Sequence, residues 1–241
     1  MIGFDREATR IFRSMTMAIP LDRARQAAPQ VYERLREQII ALALAPGSVL
    51  ARNELMAQFG VSQTPIRDAL LRLAEEGLVD IFPQHATVVS PIDLPAARQA
   101  HFLRRSVELE VVRSLAQRQD RSFVPRLQAL IARQRGMLDV QDFEAFAETD
   151  QSLHRQLCEA AEVPGLWALI RSRSGHLDRL RRLHLPAPGK AQSILDDHGL
   201  ILEAIAAGDS GRAEEALRQH LSGTLAQVDE IRARFPDYVR G

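Results

Sequence analysis

Asp150 and His154 place a carboxylate and an imidazole at a spacing that suits joint chemistry. They stand four positions apart in "ETDQSLHRQLCEAAE", residues 148–162, a segment whose apolar residues repeat with helical spacing. On a helix, residues at i and i+4 lie one above the other, so both side chains can turn toward a single ion. Two ligands do not make a metal site, and such pairs also occur on solvated helix faces. The rest of the sequence must decide between these interpretations.

Two further histidines lie at matched distances from a turn signal. His198 precedes Gly208 by ten residues, and His220 follows Ser210 by ten. If "GDS" is a tight turn between antiparallel helices, both histidines lie about 15 Å from it and face each other. The sequence therefore predicts that three imidazoles and the Asp150 carboxylate converge in the core of a helical bundle. This donor set suits Zn²⁺, with Ni²⁺, Co²⁺, Mn²⁺ and Fe²⁺ as alternatives. Four separately satisfied polar residues are the other interpretation.

The composition is that of a globular protein from a reducing compartment. Of the 241 residues, 46% are hydrophobic, and the net charge is zero. The lone Cys158 excludes a disulfide framework within one chain. No apolar run is long enough to span a bilayer, and the N-terminus lacks the pattern of a secretory signal. We expect a cytoplasmic protein with no membrane partner.

Residues 29–90 predict a small domain of three helices and a hairpin, preceded by a charged tail, residues 1–28. A helical stripe begins near Gln30 and stops at "APGS", a second helix covers 52–59, and a third follows "VSQTP". The segments "LVDIF" and "TVVS" then predict a two-stranded ribbon. This order is that of a winged helix-turn-helix, whose last helix enters the DNA major groove. The five arginines and seven acidic residues of 30–90 give a net charge of −2, so a protein-interaction module is the alternative.

The remainder of the chain predicts an all-α domain. A linker is expected at 91–95, followed by a helical domain over 96–235. The breaks "DRS", "VPG", "LPAPG" and "GDS" divide this domain into about six helices. Their predicted ranges are 96–119, 122–138, 141–161, 165–184, 190–207 and 210–234.

The first domain resembles a known family. The stretch "LARNELMAQFGVSQTPIRDALLRLAEEGLV", residues 50–79, is similar to the signature of GntR-type bacterial transcription regulators. The resemblance implies that Arg67 contacts DNA, with Gln63, Thr64 and the wing residue His85 in neighbouring contact positions. We assign Arg52, at the start of the second helix, to the same surface.

The second domain resembles the FCD ligand-binding domain of the FadR branch of this family, which carries an Asp-x3-His motif and two later histidines. Asp150, His154, His198 and His220 fall on those positions, so the resemblance implies that they bind a metal. Arg104, in "FLRRSVELE", matches an arginine that faces the effector pocket, where it could bind a carboxylate in bidentate fashion. A salt bridge to Glu108 or Glu110 is the alternative role for Arg104.

The sequence thus predicts a mainly α protein, with an N-terminal winged helix-turn-helix followed by an FCD-like bundle. The resemblance implies a homodimer. We expect it to read a palindromic operator as a repressor and to respond to a small carboxylic acid bound by the metal and Arg104. The alternative is a metal-dependent hydrolase that uses the Asp/His site and carries the winged helix as an interaction module. We find no obvious general base at the metal motif, no Ser-His-Asp ordering and no Gly-rich phosphate loop. The sequence therefore favours a regulator over an enzyme.

Overall fold

The computed structural model describes residues 21–83 and 85–241. Most of the predicted tail, residues 1–20, lies outside the described part of the chain. The chain divides into two compact units. One takes the chain up to Gln38 together with Gly47–Ser90, and the other takes Ile39–Pro46 and Pro91–Gly241.

The first unit contains three helices and a hairpin. The helices are α1 (Ala27–Ile40), α2 (Arg52–Phe59) and α3 (Gln63–Glu75), and strand β1 (Val79–Ile81) pairs antiparallel with β2 (Thr87–Val89). Helix α2 ends at Gly60, whose φ of 64° is left-handed and favours glycine. The winged helix-turn-helix prediction is confirmed. Its core is formed by buried apolar residues of all three helices: Val31, Leu35, Leu55, Phe59, Ile66, Leu70 and Leu73.

The second unit is almost wholly helical, which confirms the all-α prediction. No helix in 21–83 or 85–241 is both long and apolar enough to cross a membrane. The helices are α4 (Leu94–Gln117), α5 (Val124–Asp139), α6 (Phe143–Ala160), α7 (Pro164–Arg173), α8 (Gly175–His184), α9 (Lys190–Ala207), α10 (Ser210–Ser222) and α11 (Val228–Arg234), with a 3₁₀ turn at Leu225–Gln227.

Two stretches predicted as single helices are broken. The helix predicted over 165–184 breaks at Ser174, whose hydroxyl donates to the Ile170 carbonyl at 2.7 Å. A serine that bonds back to residue i−4 bends a helix, and Gly175 then weakens it further. The stretch 210–234 breaks after Ser222, where Gly223 and the 3₁₀ turn intervene. The first break separates α8 from α7, and α8 carries a residue of the site described below.

The segment predicted as a linker, 91–95, is built into the second unit. Strand β3 (Ile92–Asp93) pairs parallel with β4 (Val239–Arg240). The second unit therefore includes residues beyond 235, where the predicted helical domain ended. The Asp93 carboxylate caps α4 by accepting from the Ala96 N–H at 2.8 Å. The last residues of the chain therefore hold the start of α4.

His176, on α8, contacts the start of α4 through Asp93. Its Nδ1 accepts from the Asp93 N–H at 3.0 Å and lies 2.9 Å from Arg179 Nη2. Burial and the neighbouring Arg179 guanidinium lower the pKa of His176 to about 4, against a smaller opposite effect of Asp93, and Arg240 adds to the lowering. The ring is therefore neutral at physiological pH, and Nδ1 acts as an acceptor.

We expect His176 to make the second unit less stable in mild acid. Because its pKa is lowered on folding, its neutral form supports the fold fully above pH 6.5. That contribution is lost as the pH falls from 6.5 toward 4. At pH 5 the loss amounts to about 2 kcal/mol. This loss can be measured by urea unfolding of the full chain at pH 7.5 and pH 5.0, followed through the fluorescence of the single Trp167. His176→Gln should show a smaller fall in unfolding free energy; an equal fall in both proteins would contradict the assignment.

Candidate DNA-binding surface and metal centre

The N-terminal part of α3 presents a polar face. Gln63, Thr64 and Arg67 are exposed, while Ile66 and Leu70 are buried on the opposite side of the helix. Ser62 occupies the N-cap position in extended conformation, and its side chain makes no capping hydrogen bond. The first turn of α3 also contains no acidic residue. Its positive end is therefore open to an anion.

The other two residues predicted to contact DNA are exposed as well. Arg52 begins α2, and His85 lies in the turn between β1 and β2, where its backbone N–H donates to the Phe82 carbonyl at 3.2 Å. Within residues 21–83 and 85–241, the side chains of Arg52, Arg67 and His85 take part in no ion pair. These side chains are thus available to a ligand.

The structure brings the four predicted metal ligands together inside the second unit. Asp150 and His154 lie on α6, His198 on α9 and His220 on α10, and one donor atom from each lies within 4.8 Å of the others. His154 Nε2 is 3.2 Å from His220 Nε2, and His198 Nε2 is 3.5 Å from Asp150 Oδ1. All four side chains are buried. The turn at Gly208 places His198 and His220 side by side, with ring centroids 4.5 Å apart.

Side-chain oxygens lie close to the outer nitrogens of two of the imidazoles. His154 Nδ1 lies 2.7 Å from Glu108 Oε2, and His198 Nδ1 lies 2.8 Å from Gln134 Oε1. His220 Nδ1 is 3.7 Å from Asp197 Oδ2, which is too long for a hydrogen bond. Metal-binding histidines usually donate the nitrogen that is not a ligand to such an oxygen, which fixes the ring and its tautomer.

The two carboxylate oxygens of Asp150 have different surroundings. Its Oδ2 accepts from Arg181 Nη2 at 2.5 Å, whereas Oδ1 points toward the imidazoles. Asp150 Oδ1 and His198 Nε2 are both fully buried and form no hydrogen bond within the described part of the chain. Buried polar atoms without a partner are costly. A divalent cation among the four donors would satisfy them, so the residues fit a metal ion.

The electrostatics of the cluster favour the protonation states that metal ligands need. Burial raises the pKa of Asp150, but the opposite effect of Arg181 and the neighbouring histidines is larger. The pKa of Asp150 therefore lies well below its usual range. Burial, together with the adjacent imidazoles, holds the pKa of His198 and of His220 well below its usual range. An ionised carboxylate and neutral imidazoles are the forms that bind metal.

Arg104 is buried on α4 and forms the salt bridge that the sequence left as an alternative. Its Nε donates to Glu108 Oε1 at 2.6 Å, while Glu110 pairs with Arg113 instead. Arg104 Nη2 is buried and has no hydrogen-bond partner among the described residues. Burial raises the pKa of Glu108, but Arg104 and His154 outweigh it and bring that pKa to about 2. The Glu108 carboxylate thus links Arg104 to a predicted metal ligand.

A cavity opens beside the cluster, and Arg104 and His220 both line it. Sequence reasoning missed three other basic residues of its wall: His101, Arg181 and Lys190. His101 stands three residues before Arg104 on the same helix face, a signal that could have identified it. Arg181 lies in an arginine-rich stretch, and no sequence feature distinguishes it from its neighbours. The remaining wall consists of Leu177, Ile194, Leu221 and Thr224.

Comparison with known proteins connects both units to one family. Residues 27–89 match the bacterial regulatory proteins of the gntR family, and residues 99–223 match the FCD domain. A helix-turn-helix transcriptional regulator from an unstable DNA locus of Streptomyces ambofaciens is 37% identical over 207 residues, covering 86% of this chain and 87% of that protein. The chain belongs to the GntR family. It is a transcriptional regulator rather than an enzyme, and its FCD domain is consistent with the FadR branch.

Further relatives agree with this assignment. The helix-turn-helix transcriptional repressor RspR of Escherichia coli strain K12 is 29% identical over 224 residues, covering 93% of this chain and 98% of the repressor. The solved structure of E. coli McbR/YncC shares the fold, with a TM-score of 0.74 at 22% identity over 86% of this chain and 98% of that chain. In this GntR regulator, the helix-turn-helix domain implies DNA binding, and the FCD domain suggests a small-molecule effector.

Proposed function

We propose that this regulator binds operator DNA in the cytoplasm through α3 and the β1–β2 wing, and that a small carboxylate bound at a metal centre in the FCD domain controls that binding. The observation that carries the proposal is the buried Asp150–His154–His198–His220 cluster. Its inward atoms Asp150 Oδ1 and His198 Nε2 have no hydrogen-bond partner among the described residues. Outer contacts of Asp150, His154 and His198 leave the inward-facing atom of each side chain directed at the centre of the cluster.

The four residues of the cluster would hold the ion. Zn²⁺ is our first choice for one carboxylate and three imidazoles, and Ni²⁺ and other divalent transition metals are alternatives. When bound, the ion supplies a concentrated positive charge to which a carboxylate oxygen can bind. Glu108 and Gln134 keep the His154 and His198 rings in place, and Arg181 keeps Asp150 ionised.

Arg104 would hold the carboxylate of the effector. Its Nη2 is buried and has no hydrogen-bond partner among the described residues, and the Arg104 side chain lines the cavity that His220 also lines. Because Arg104 is also the partner of Glu108, an effector that pulls on its guanidinium perturbs the Glu108–His154 contact. A ligand shifts an equilibrium only by its differential affinity for the two states. We expect the effector to favour the state that leaves DNA, since a relative is described as a repressor.

The DNA-reading residues would be Gln63, Thr64 and Arg67 on α3, with Arg52 and His85 beside them. Their exposure supports this role. The open first turn of α3 can hold a phosphate through its backbone N–H groups, which needs no net positive charge. A homodimer would present two such helices to the two halves of a palindromic operator.

Metal content tests the centre directly. Elemental analysis by mass spectrometry should find about one transition-metal ion per chain in the purified protein, and His198→Ala and His220→Ala should lose it because each removes a donor. His184→Ala, at a half-buried histidine outside the cluster, serves as the matched control and should keep the ion. A full complement in His198→Ala would remove His198 from the site, and an absence of metal in the wild type after reconstitution with Zn²⁺ and Ni²⁺ would rule out the mechanism.

Substitution of Arg67 tests the reading surface. Arg67→Ala should weaken binding to an operator selected from random DNA by about 5- to 200-fold, as expected for the loss of one base-contacting arginine. Arg72→Ala removes the same charge from a position five residues along α3, where the guanidinium stacks over Tyr32, and should have a smaller effect. Gel-shift titrations measure both variants, and circular dichroism confirms that they fold. Wild-type binding by Arg67→Ala would show that the wrong face had been assigned.

A further inference from the structure

Lys190 is the single lysine of the chain and lies on the wall of the cavity. It is the first residue of α9, follows Gly189, and is half-buried. Its Nζ rests against Gly223, so closely that a Cβ at that glycine would lie 2.6 Å away. The bare backbone at Gly223 leaves space for the ammonium in this position.

The other cations of the cavity have carboxylate partners, whereas Lys190 has none among the described residues. Arg104 pairs with Glu108 at 2.6 Å, and Arg181 pairs with Asp150 at 2.5 Å. Within 21–83 and 85–241, no acidic side chain lies within ion-pair distance of Lys190, and none lines the cavity. Burial and the nearby Arg181 guanidinium lower the pKa of Lys190, and the attraction of Asp197 and Asp150 only partly offsets this. An anion beside the ammonium would remove that penalty.

The cavity therefore presents more positive charge than one carboxylate can offset. The ion pairs of Arg104 and Arg181 are each neutral, so a divalent ion at the cluster and the Lys190 ammonium remain as positive charges that face the ligand. A single carboxylate at the metal and Arg104 leaves the ammonium uncompensated. Leu177, Ile194 and Leu221 line the same cavity and suit a short hydrocarbon chain between two acid groups.

We infer that the effector is a small dicarboxylate, with one carboxylate at the metal and Arg104 and the second at Lys190 Nζ. The inference rests on the proposed function and narrows its carboxylate to one class. Lys190 is then the residue that determines specificity for a diacid over a monoacid. Its ammonium ends a flexible four-carbon chain, so it can move aside to admit the ligand and then close on it.

Paired acids of equal length test the inference on the full-length, metal-loaded protein. The pairs are butyrate and succinate, valerate and glutarate, and caproate and adipate, with binding followed by calorimetry and by Trp167 fluorescence. Trp167 lines an adjoining cavity together with Arg104 and Arg181, so it reports on ligand entry. At least one diacid should bind the wild type about tenfold more tightly than its monoacid.

Variants at Lys190 separate charge from packing. Lys190→Met keeps a long side chain but should abolish the diacid preference while leaving monoacid affinity within about twofold, since only the second contact is lost. Lys190→Arg should retain much of the preference. Arg155→Met removes a charge from the exposed face of α6 and should behave as the wild type. Gly223→Ala, which displaces Nζ without removing its charge, should weaken diacid binding selectively.

The single lysine also permits a test that needs no substitution. Reductive methylation with ¹³C-formaldehyde retains the charge and gives one lysine signal, with the N-terminal amine as an internal reference. The lysine signal should shift on addition of the tight diacid and not on addition of its monoacid.

Four results would overturn the inference. Equal binding of mono- and diacids to the wild type would do so and leave the metal–carboxylate mechanism intact. A diacid preference that survives in Lys190→Met, or an unmoved lysine signal, would assign the preference to another residue. Failure of every acid to bind would contradict the effector part of the proposed function too, while the metal analysis above would still stand or fall separately.

Discussion

The second unit is organised by the need to bury charged and polar side chains in the interior of a helical bundle. Each buried charge has to be paired, since an isolated one costs several kcal/mol. The partners come from many elements, with Arg104 and Glu108 on α4, Gln134 on α5 and Arg181 on α8. Replacing buried ion pairs by well-packed apolar residues of the same volume is often neutral or stabilising. The buried ion pairs are therefore weak evidence for stability, which agrees with a role in the proposed binding site.

This arrangement links the Asp150–His154–His198–His220 cluster to the cavity. Glu108 accepts from Arg104 through one oxygen and contacts His154 through the other, so one carboxylate touches both the wall of the cavity and a predicted ligand. Arg181 plays the matching role, because it pairs with Asp150 and lines the same cavity. A ligand that draws either guanidinium toward itself changes the charge balance at the donors. Metal affinity and effector affinity should therefore be linked reciprocally on the proposed function.

The sequence predicted those parts of the structure that leave a periodic or motif signal. The i, i+4 spacing of Asp150 and His154 predicted one pair, and the equal distances of His198 and His220 from one turn predicted another. The resemblance to the FCD domain assigned both pairs to one site, and the structure places all four residues together. Arg181 was not identified because its orientation depends on the break at Ser174, where a local hydroxyl bond overrides a continuous helical pattern. Strands β3 and β4 were also missed, since two-residue strands carry no alternation and their pairing joins distant parts of the chain.

The charge of the first unit affects how much coupling free energy the effector needs to release the protein from DNA. Residues 30–90 carry a net charge of −2, so this segment adds few cationic phosphate contacts and little counterion release to the proposed DNA complex. Base contacts from the exposed face of α3 must then provide most of the binding free energy. Coupling between sites in allosteric proteins amounts to about 1–3 kcal/mol. On the proposed function, a complex held by a few directional contacts is released by a coupling of that size. A small misplacement of the two α3 helices of the proposed homodimer would remove several of those contacts at once.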